Sequence, residues 1–167
     1  MTVREHVLLC ALVLAAVTAR PQAQPQWQVL FDGTSLGAFR GYRAAAMPAG
    51  WSIVDGTLAK DAKATDILTR EQFADFELQL EWKIGEAGNA GIFYRGTEEY
   101  DRVYWSAPEY QLLDDATHPD AARPETSGGA LYALYPPLDK PPAPAGEWQR
   151  ALRLRHGAFA RGPRRLR

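Results

Sequence analysis

The segment "DFELQLEWKI", residues 75–84, restricts the fold more than any other part of the chain. Phe76, Leu78, Leu80, Trp82 and Ile84 alternate with Asp75, Glu77, Gln79, Glu81 and Lys83, a period of two that fits a half-buried β-strand and no helix. Asp75, Glu77 and Glu81 are expected on its wet face. "WSIVDGTLAK" (51–60) sets Asp55-Gly56 between two short apolar runs, the pattern of a type I′ hairpin, because both residues accept the positive φ such a turn demands. Further short strands are expected at 27–31, 66–69, 90–95, 102–105, 109–113, 130–134 and 147–155. "TREQFAD" (69–75) predicts one helical turn, with Thr69 capping Glu71 and Gln72. Many short strands joined by Gly- and Pro-rich turns predict an all-β antiparallel sandwich or barrel. Trp27, Trp51, Trp82 and Trp148 share strand parity with apolar neighbours and are expected in the core.

With 167 residues, 46% apolar and 23% charged, the chain predicts one domain. Residues 1–19, "MTVREHVLLCALVLAAVTA", place Arg4 before an apolar run from Val7 to Val17 and end in small residues. This is the layout of a signal peptide, cut after Ala19 or Ala23, and it predicts a secreted or periplasmic protein. The run is too short to span a bilayer, so no transmembrane anchor is expected in the mature chain. Residues 20–28 read as a linker. Cys10, the only cysteine, lies in the leader, which excludes disulfides, thiolate catalysis and cysteine metal ligands from the mature part. From Arg20 to Gln149 the chain carries 11 basic and 19 acidic residues, a net −8 that argues against nucleic acid as a partner. Arg150–Arg167 holds seven arginines and no acid.

Titratable chemistry concentrates in "EYQLLDDATHPDA" (109–121). On a strand, Glu109 and Gln111 face one side, Tyr110 and Leu112 the other. Asp114, Asp115, His118 and Asp120 follow at the strand end, where they can converge with Asn89 of "GNAG" and Arg95 of "GIFYR". Histidine is the residue type suited to acid or base work near neutral pH, and Pro119 stiffens the loop that carries His118. The same residues also suit a solvated turn, and Arg95 equally suits a surface pair with Glu98 or Glu99. "GEAGNAG" (85–91), with three glycines, permits close approach of backbone or ligand, or forms a plain hairpin loop. "YPPLDKPPAPAGEW" (135–148), with five prolines, predicts a stiff surface crossing.

"LFDGTSLGAFRG", "GWSIVDGTL", "FADFELQLEWKIGEAGNAGIFYRG", "EYQLLDDATHPDA", "GALYALYPP" and "KPPAPAGEWQRALR" occur in the order and approximate spacing of the bacterial 3-keto-disaccharide hydrolase domain, and residues 29–155 resemble that family. The resemblance implies a concanavalin A-like jelly roll of two antiparallel sheets, one forming a concave face for a small carbohydrate. It implies cleavage of 3-keto-disaccharides or 3-keto-glycosides by proton abstraction at C2, elimination of the C1 substituent, and hydration. On that implication Glu109, His118 and Asp114 are the candidate catalytic residues. Asn89, Tyr94, Arg95, Tyr104, Trp105, Gln111 and Asp115 are the candidate substrate contacts, the aromatic rings as stacking surfaces. Alternatively, the aspartates with Glu109 hold a divalent cation (Ca, Mn or Zn) that polarises the 3-keto oxygen; no spacing here is a metal signature by itself. A lectin-like module with the same hollow and no chemistry is the competing class. After about residue 155 the resemblance stops, the family's last strands are not expected, and residues 156–167 read as an irregular basic tail produced by truncation or a changed reading frame, or as a tail for an anionic surface.

Overall fold

The computed structural model describes residues 27–138, 143–156 and 164–166, so the leader, Cys10 and most of the linker lie outside the described residues. Ten strands follow in chain order: β1 (Trp27–Gln28), β2 (Phe39–Gly41), β3 (Trp51–Val54), β4 (Thr57–Lys60), β5 (Ile67–Thr69), β6 (Phe76–Trp82), β7 (Asn89–Phe93), β8 (Glu109–Leu113), β9 (Gln149–His156) and β10 (Arg164–Leu166). Short 3₁₀ turns occupy Val103–Trp105, Pro119–Ala122 and Pro124–Thr126. Among the described residues there is no α-helix, and no helix long and apolar enough to cross a membrane. The all-β, mainly antiparallel class expected from the sequence is the class observed.

β6 is central to the largest sheet, whose order is β1-β10-β6-β9. It runs antiparallel to β9, with Leu80 opposite Leu152 and Leu78 opposite Leu154. β10 lies parallel to both β1 and β6, so three residues of the segment read as an irregular tail form a strand, and they form the parallel part of an otherwise antiparallel architecture. The remaining strands pair as β2-β5, β3-β4 and β7-β8, all antiparallel. At the β3-β4 turn Asp55 and Gly56 adopt φ of 49° and 72°, the paired left-handed conformation that the Asp-Gly sequence predicts.

Several expectations are corrected. Glu77 is 1% exposed and not on a wet face. "TREQFAD" forms no helical turn; the Thr69 hydroxyl donates to the Glu71 carbonyl instead of accepting at a cap. "RVYW" is a 3₁₀ turn, not a strand. "ALYAL" contributes only bridges, Leu131 to Tyr110 and to Tyr135, since Ala133 at φ 58° turns the chain away from an extended path. Trp27, Trp51 and Trp82 are partly buried, but Trp148 is exposed, with the Lys83 ammonium 5.1 Å above its ring.

Candidate active site

The candidate site is built on the β7-β8 hairpin. Pairing sets Phe93 opposite Glu109, Gly91 opposite Gln111 and Asn89 opposite Leu113, so these six residues share one face. On the other edge of β8 residues 129–132 run alongside: Gln111 N–H donates to Ala130, Gly129 N–H to Gln111, and Tyr132 N–H to Glu109. Tyr132 is therefore the lateral neighbour of Glu109, as Phe93 is from the other side. The segment between, residues 114–128, curls back over the far end of this face.

That curl is held by its own acids. Asp114, 3% exposed, accepts from Thr117 Oγ1 at 2.5 Å, Ala87 N–H at 2.9 Å and Ala116 N–H at 3.2 Å. The Thr117 hydroxyl and then the Ala87 amide hold its carboxyl below the ordinary aspartate range. Its lone pairs are thus committed to tying the glycine loop (85–88) to the turn, and it does not open onto the face. Asp115 does similar work, its Oδ1 accepting from Gly128 N–H at 2.7 Å. Both aspartates are structural ties in this arrangement.

Beyond the turn, His118 and Asp120 reach back over the face. Asp120 N–H donates to His118 Nδ1 at 3.1 Å, which fixes the ring at the start of the 119–122 turn. His118 Nε2 lies 3.5 Å from Asn89 Nδ2, and the same amide donates to Asp120 Oδ2 at 3.2 Å. Tyr132 Oη is 3.5 Å from that Asp120 oxygen. Asn89, His118, Asp120 and Tyr132 thus converge over one face of the hairpin.

Glu109 completes the cluster. Burial first, then the charges of Asp66 and Asp120, push its carboxyl up to about 7 from an ordinary 4.5. Among the described residues no cation is paired with it. Burial, Asp120 and Glu109 also raise the Tyr132 hydroxyl above the usual tyrosine value, so it stays protonated at neutral pH. A carboxyl poised near neutrality beside a phenol that keeps its proton is the pairing that proton transfer needs.

Gln111 shares the face as parity predicted, but it has no exposure at all. Its Nε2 points to the Thr126 carbonyl at 3.5 Å and its Oε1 is buried without a protein partner. It lies beneath the 114–132 segment, out of reach of a substrate. At the opposite end of the hairpin, the connection from Tyr94 to Pro108 begins beside Glu109. Tyr94 is partly buried, its N–H donating to the Pro108 carbonyl. Arg95 is exposed and left-handed, φ 57°, a conformation that costs a bulky residue roughly 1 kcal/mol or more. It does not pair with Glu98, which belongs to Arg40 through two bonds of 2.8 and 2.6 Å. Tyr104 and Trp105 stand 53% and 64% exposed, their rings 5.1 Å apart and tilted by 59°.

Residues 26–152 match the model of the 3-keto-alpha-glucoside-1,2-lyase-like domain. The chain belongs to this family. A 3-keto-disaccharide hydrolase of Bacteroides thetaiotaomicron is 34% identical over 144 residues, which are 73% of this chain and 50% of that relative. The chain therefore spans about half the length of the relative it matches. Two crystal structures of candidate glycosyl hydrolases from Parabacteroides distasonis superpose with TM-scores of 0.66 and 0.56, at 26% and 29% identity, covering 77% and 72% of this chain and 71% and 49% of theirs. The match includes all of the Glu109 cluster.

Asp66, Gly91 and Tyr132 complete this member's site, and sequence reading did not select them. Asp66 and Tyr132 lie 43 and 23 residues from Glu109 in opposite directions, and no spacing rule connects them: Tyr132 reaches Glu109 through a backbone hydrogen bond and Asp66 acts on it through its charge. For Gly91 a signal existed, a glycine inside a strand pattern, which marks close approach. Two open surface depressions lie elsewhere, one lined by Val29, Leu30, Asp32, Ser35 and Ala38, the other by Arg40, Arg43, Ala44, Ala45, Arg70 and Glu98. Neither contains Glu109 or a group poised for proton transfer, and in the second Glu98 already occupies the Arg40 fork. Among the described residues no group of three or more His, Cys, Asp or Glu side chains is arranged to hold a metal ion, and no step is routed through one.

Proposed function

We propose that the chain cleaves the glycosidic bond of 3-keto-disaccharides or 3-keto-glycosides, with Glu109 as the base. The observation that carries this reading is the Glu109 carboxyl, half-buried among Asp66, Asp120 and Tyr132 and titrating near 7. A ketone at C3 acidifies the C2 proton. Glu109 takes that proton, the electron pair passes into the C2–C3 enolate, and the C1–O bond then breaks with loss of the leaving alcohol. Water adds at C1 of the resulting enone, and a proton returns to C2. The Tyr132 hydroxyl, protonated at neutral pH, is the donor for an oxygen that gains charge along this path. Asn89 and His118 orient Asp120 beside it, and Arg95, Tyr104 and Trp105 offer a guanidinium and stacking surfaces to the sugar. Asp114 and Asp115 contribute by holding the turn. The family match and the hydrolase name of the Bacteroides relative support the substrate class. The apolar leader supports export to the periplasm or beyond.

Incubation of the purified protein with a 3-keto-disaccharide tests the reading. Release of monosaccharide, abolished by Glu109→Gln, is expected. Sugar binding without release by the unaltered protein would replace the hydrolase with a carbohydrate-binding module.

A further inference from the structure

Gly91 sits in the middle of β7, where glycine weakens a strand and Val or Ile would serve the sheet better. Its φ is outside the positive range, so its backbone conformation does not require glycine. The space beside it does. A methyl group on Gly91 would stand 2.5 Å from Glu109 Cδ and 2.6 Å from Cγ, and closer still to Oε1, where carbon atoms pack at about 3.5–4.0 Å. The Glu109 side chain therefore lies along the strand pair, across the bare Cα of its diagonal neighbour, instead of standing away from the sheet. Phe93 and Tyr132 flank that position on the two neighbouring strands' sides, and the charges of Asp66 and Asp120 act on the Glu109 carboxyl.

We infer that Gly91 is a positioning residue, its missing side chain forming the niche that holds the Glu109 carboxyl in the geometry used for proton abstraction. The inference rests on the proposed reaction for its kinetic consequence, but the niche itself is testable without any substrate. Alanine at 91 forces the Glu109 side chain to rotate off the sheet by an ångström or more. Misplacement on that scale costs about 100-fold in rate.

Two measurements separate the niche from the reaction. In the first, Gly91→Ala is expected to lower kcat on a 3-keto-disaccharide about 100-fold with KM changed less than about threefold. Gly85→Ala, at a glycine with nothing within 4 Å of the added carbon, is expected to leave both unchanged. In the second, a double-mutant cycle reads thermal midpoints. Gly91→Ala is expected to destabilise the protein that carries Glu109, and to be neutral or stabilising in the Glu109→Ala background, where the clash is gone and the strand gains a better residue. Equal losses in both backgrounds, or full kcat in Gly91→Ala, would overturn the niche. An unaltered protein that never turns over the substrate would sink the proposed reaction while the midpoint cycle still decides the niche.

Discussion

Two glutamates, Glu98 within the β7-β8 connection and Glu109 where it enters β8, meet opposite environments. Glu98 accepts from both Arg40 Nη atoms and from Arg43 N–H at 2.6 Å, and the Arg40 bonds, then the Arg43 amide, pull its carboxyl down to about 2. Eleven residues later Glu109 has burial and two like charges in place of a guanidinium, and rises to about 7. With Tyr42, whose hydroxyl donates to the Thr97 and Tyr100 carbonyls, the Glu98 pair fastens this connection onto β2. The first carboxylate is neutralised and holds structure together. The second is left where ionisation is costly, an arrangement that weakens the fold and equips the group to move a proton.

The comparison breaks if the two glutamates behave alike when altered. Glu109→Gln is expected to lower kcat about 1,000-fold with little change in KM, whereas Glu98→Gln changes kcat less than about fivefold, both read by monosaccharide release. Tyr132→Phe is expected to cost about 10- to 100-fold in kcat. Asp120→Asn removes one of the like charges, so the rising limb of the kcat/KM profile, with its midpoint at about pH 7 for Glu109 acting as base, moves to lower pH. Asp114→Ala sharpens the contrast with its neighbours. It strips three charge-assisted bonds from the turn and is expected to lower the chemical-denaturation midpoint while leaving the midpoint of that limb unmoved.

Smaller effects appear in stability against pH, with opposite signs. Glu109 binds its proton more tightly folded (about 7) than unfolded (4.5), so stability is full below 4.5 and declines as pH rises through 7. Glu109→Gln removes this loss and is expected to exceed the unaltered protein by ~1–2 kcal/mol at pH 8, allowing for solvent screening. For Glu98 the folded value is the lower, so its contribution is present above 4.5 and lost as pH falls through about 2. The partly exposed pair with Arg40 makes the expected loss in Glu98→Gln on the order of 1 kcal/mol at neutral pH, by the same denaturation measurement.

How much of this was legible depends on whether one strand or several carried the information. The alternation in β6, the Asp-Gly turn and the run of β8 were local signals, and β8 begins at Glu109 and ends at Leu113 as read. Parity on β8 also put Glu109 and Gln111 on one face. The depth of that face was not legible: which residue lies under the returning 114–132 segment depends on tertiary closure, and it is Gln111 that is covered while Glu109 remains in reach. Glu77 is misread for the same reason, since burial on both sides of a central strand overrides an alternating pattern. "DDATHPDA" forms turns, as its Asp, Thr and Pro content predicts. The division within it, Asp114 and Asp115 as ties, His118 and Asp120 over the face, follows from hydrogen bonds to residues 85–89 and 128 that no local pattern encodes.

The most direct test is a carbon-13 titration of the side-chain carboxyls in the intact protein, with the Glu109 and Glu98 resonances assigned by their glutamine variants. Glu109 is expected to titrate near 7 and Glu98 near 2, five units apart. A Glu109 midpoint at the ordinary 4.5 would contradict the account, because a carboxyl that is solvated and unstrained at neutral pH has no special fitness to take a proton from carbon.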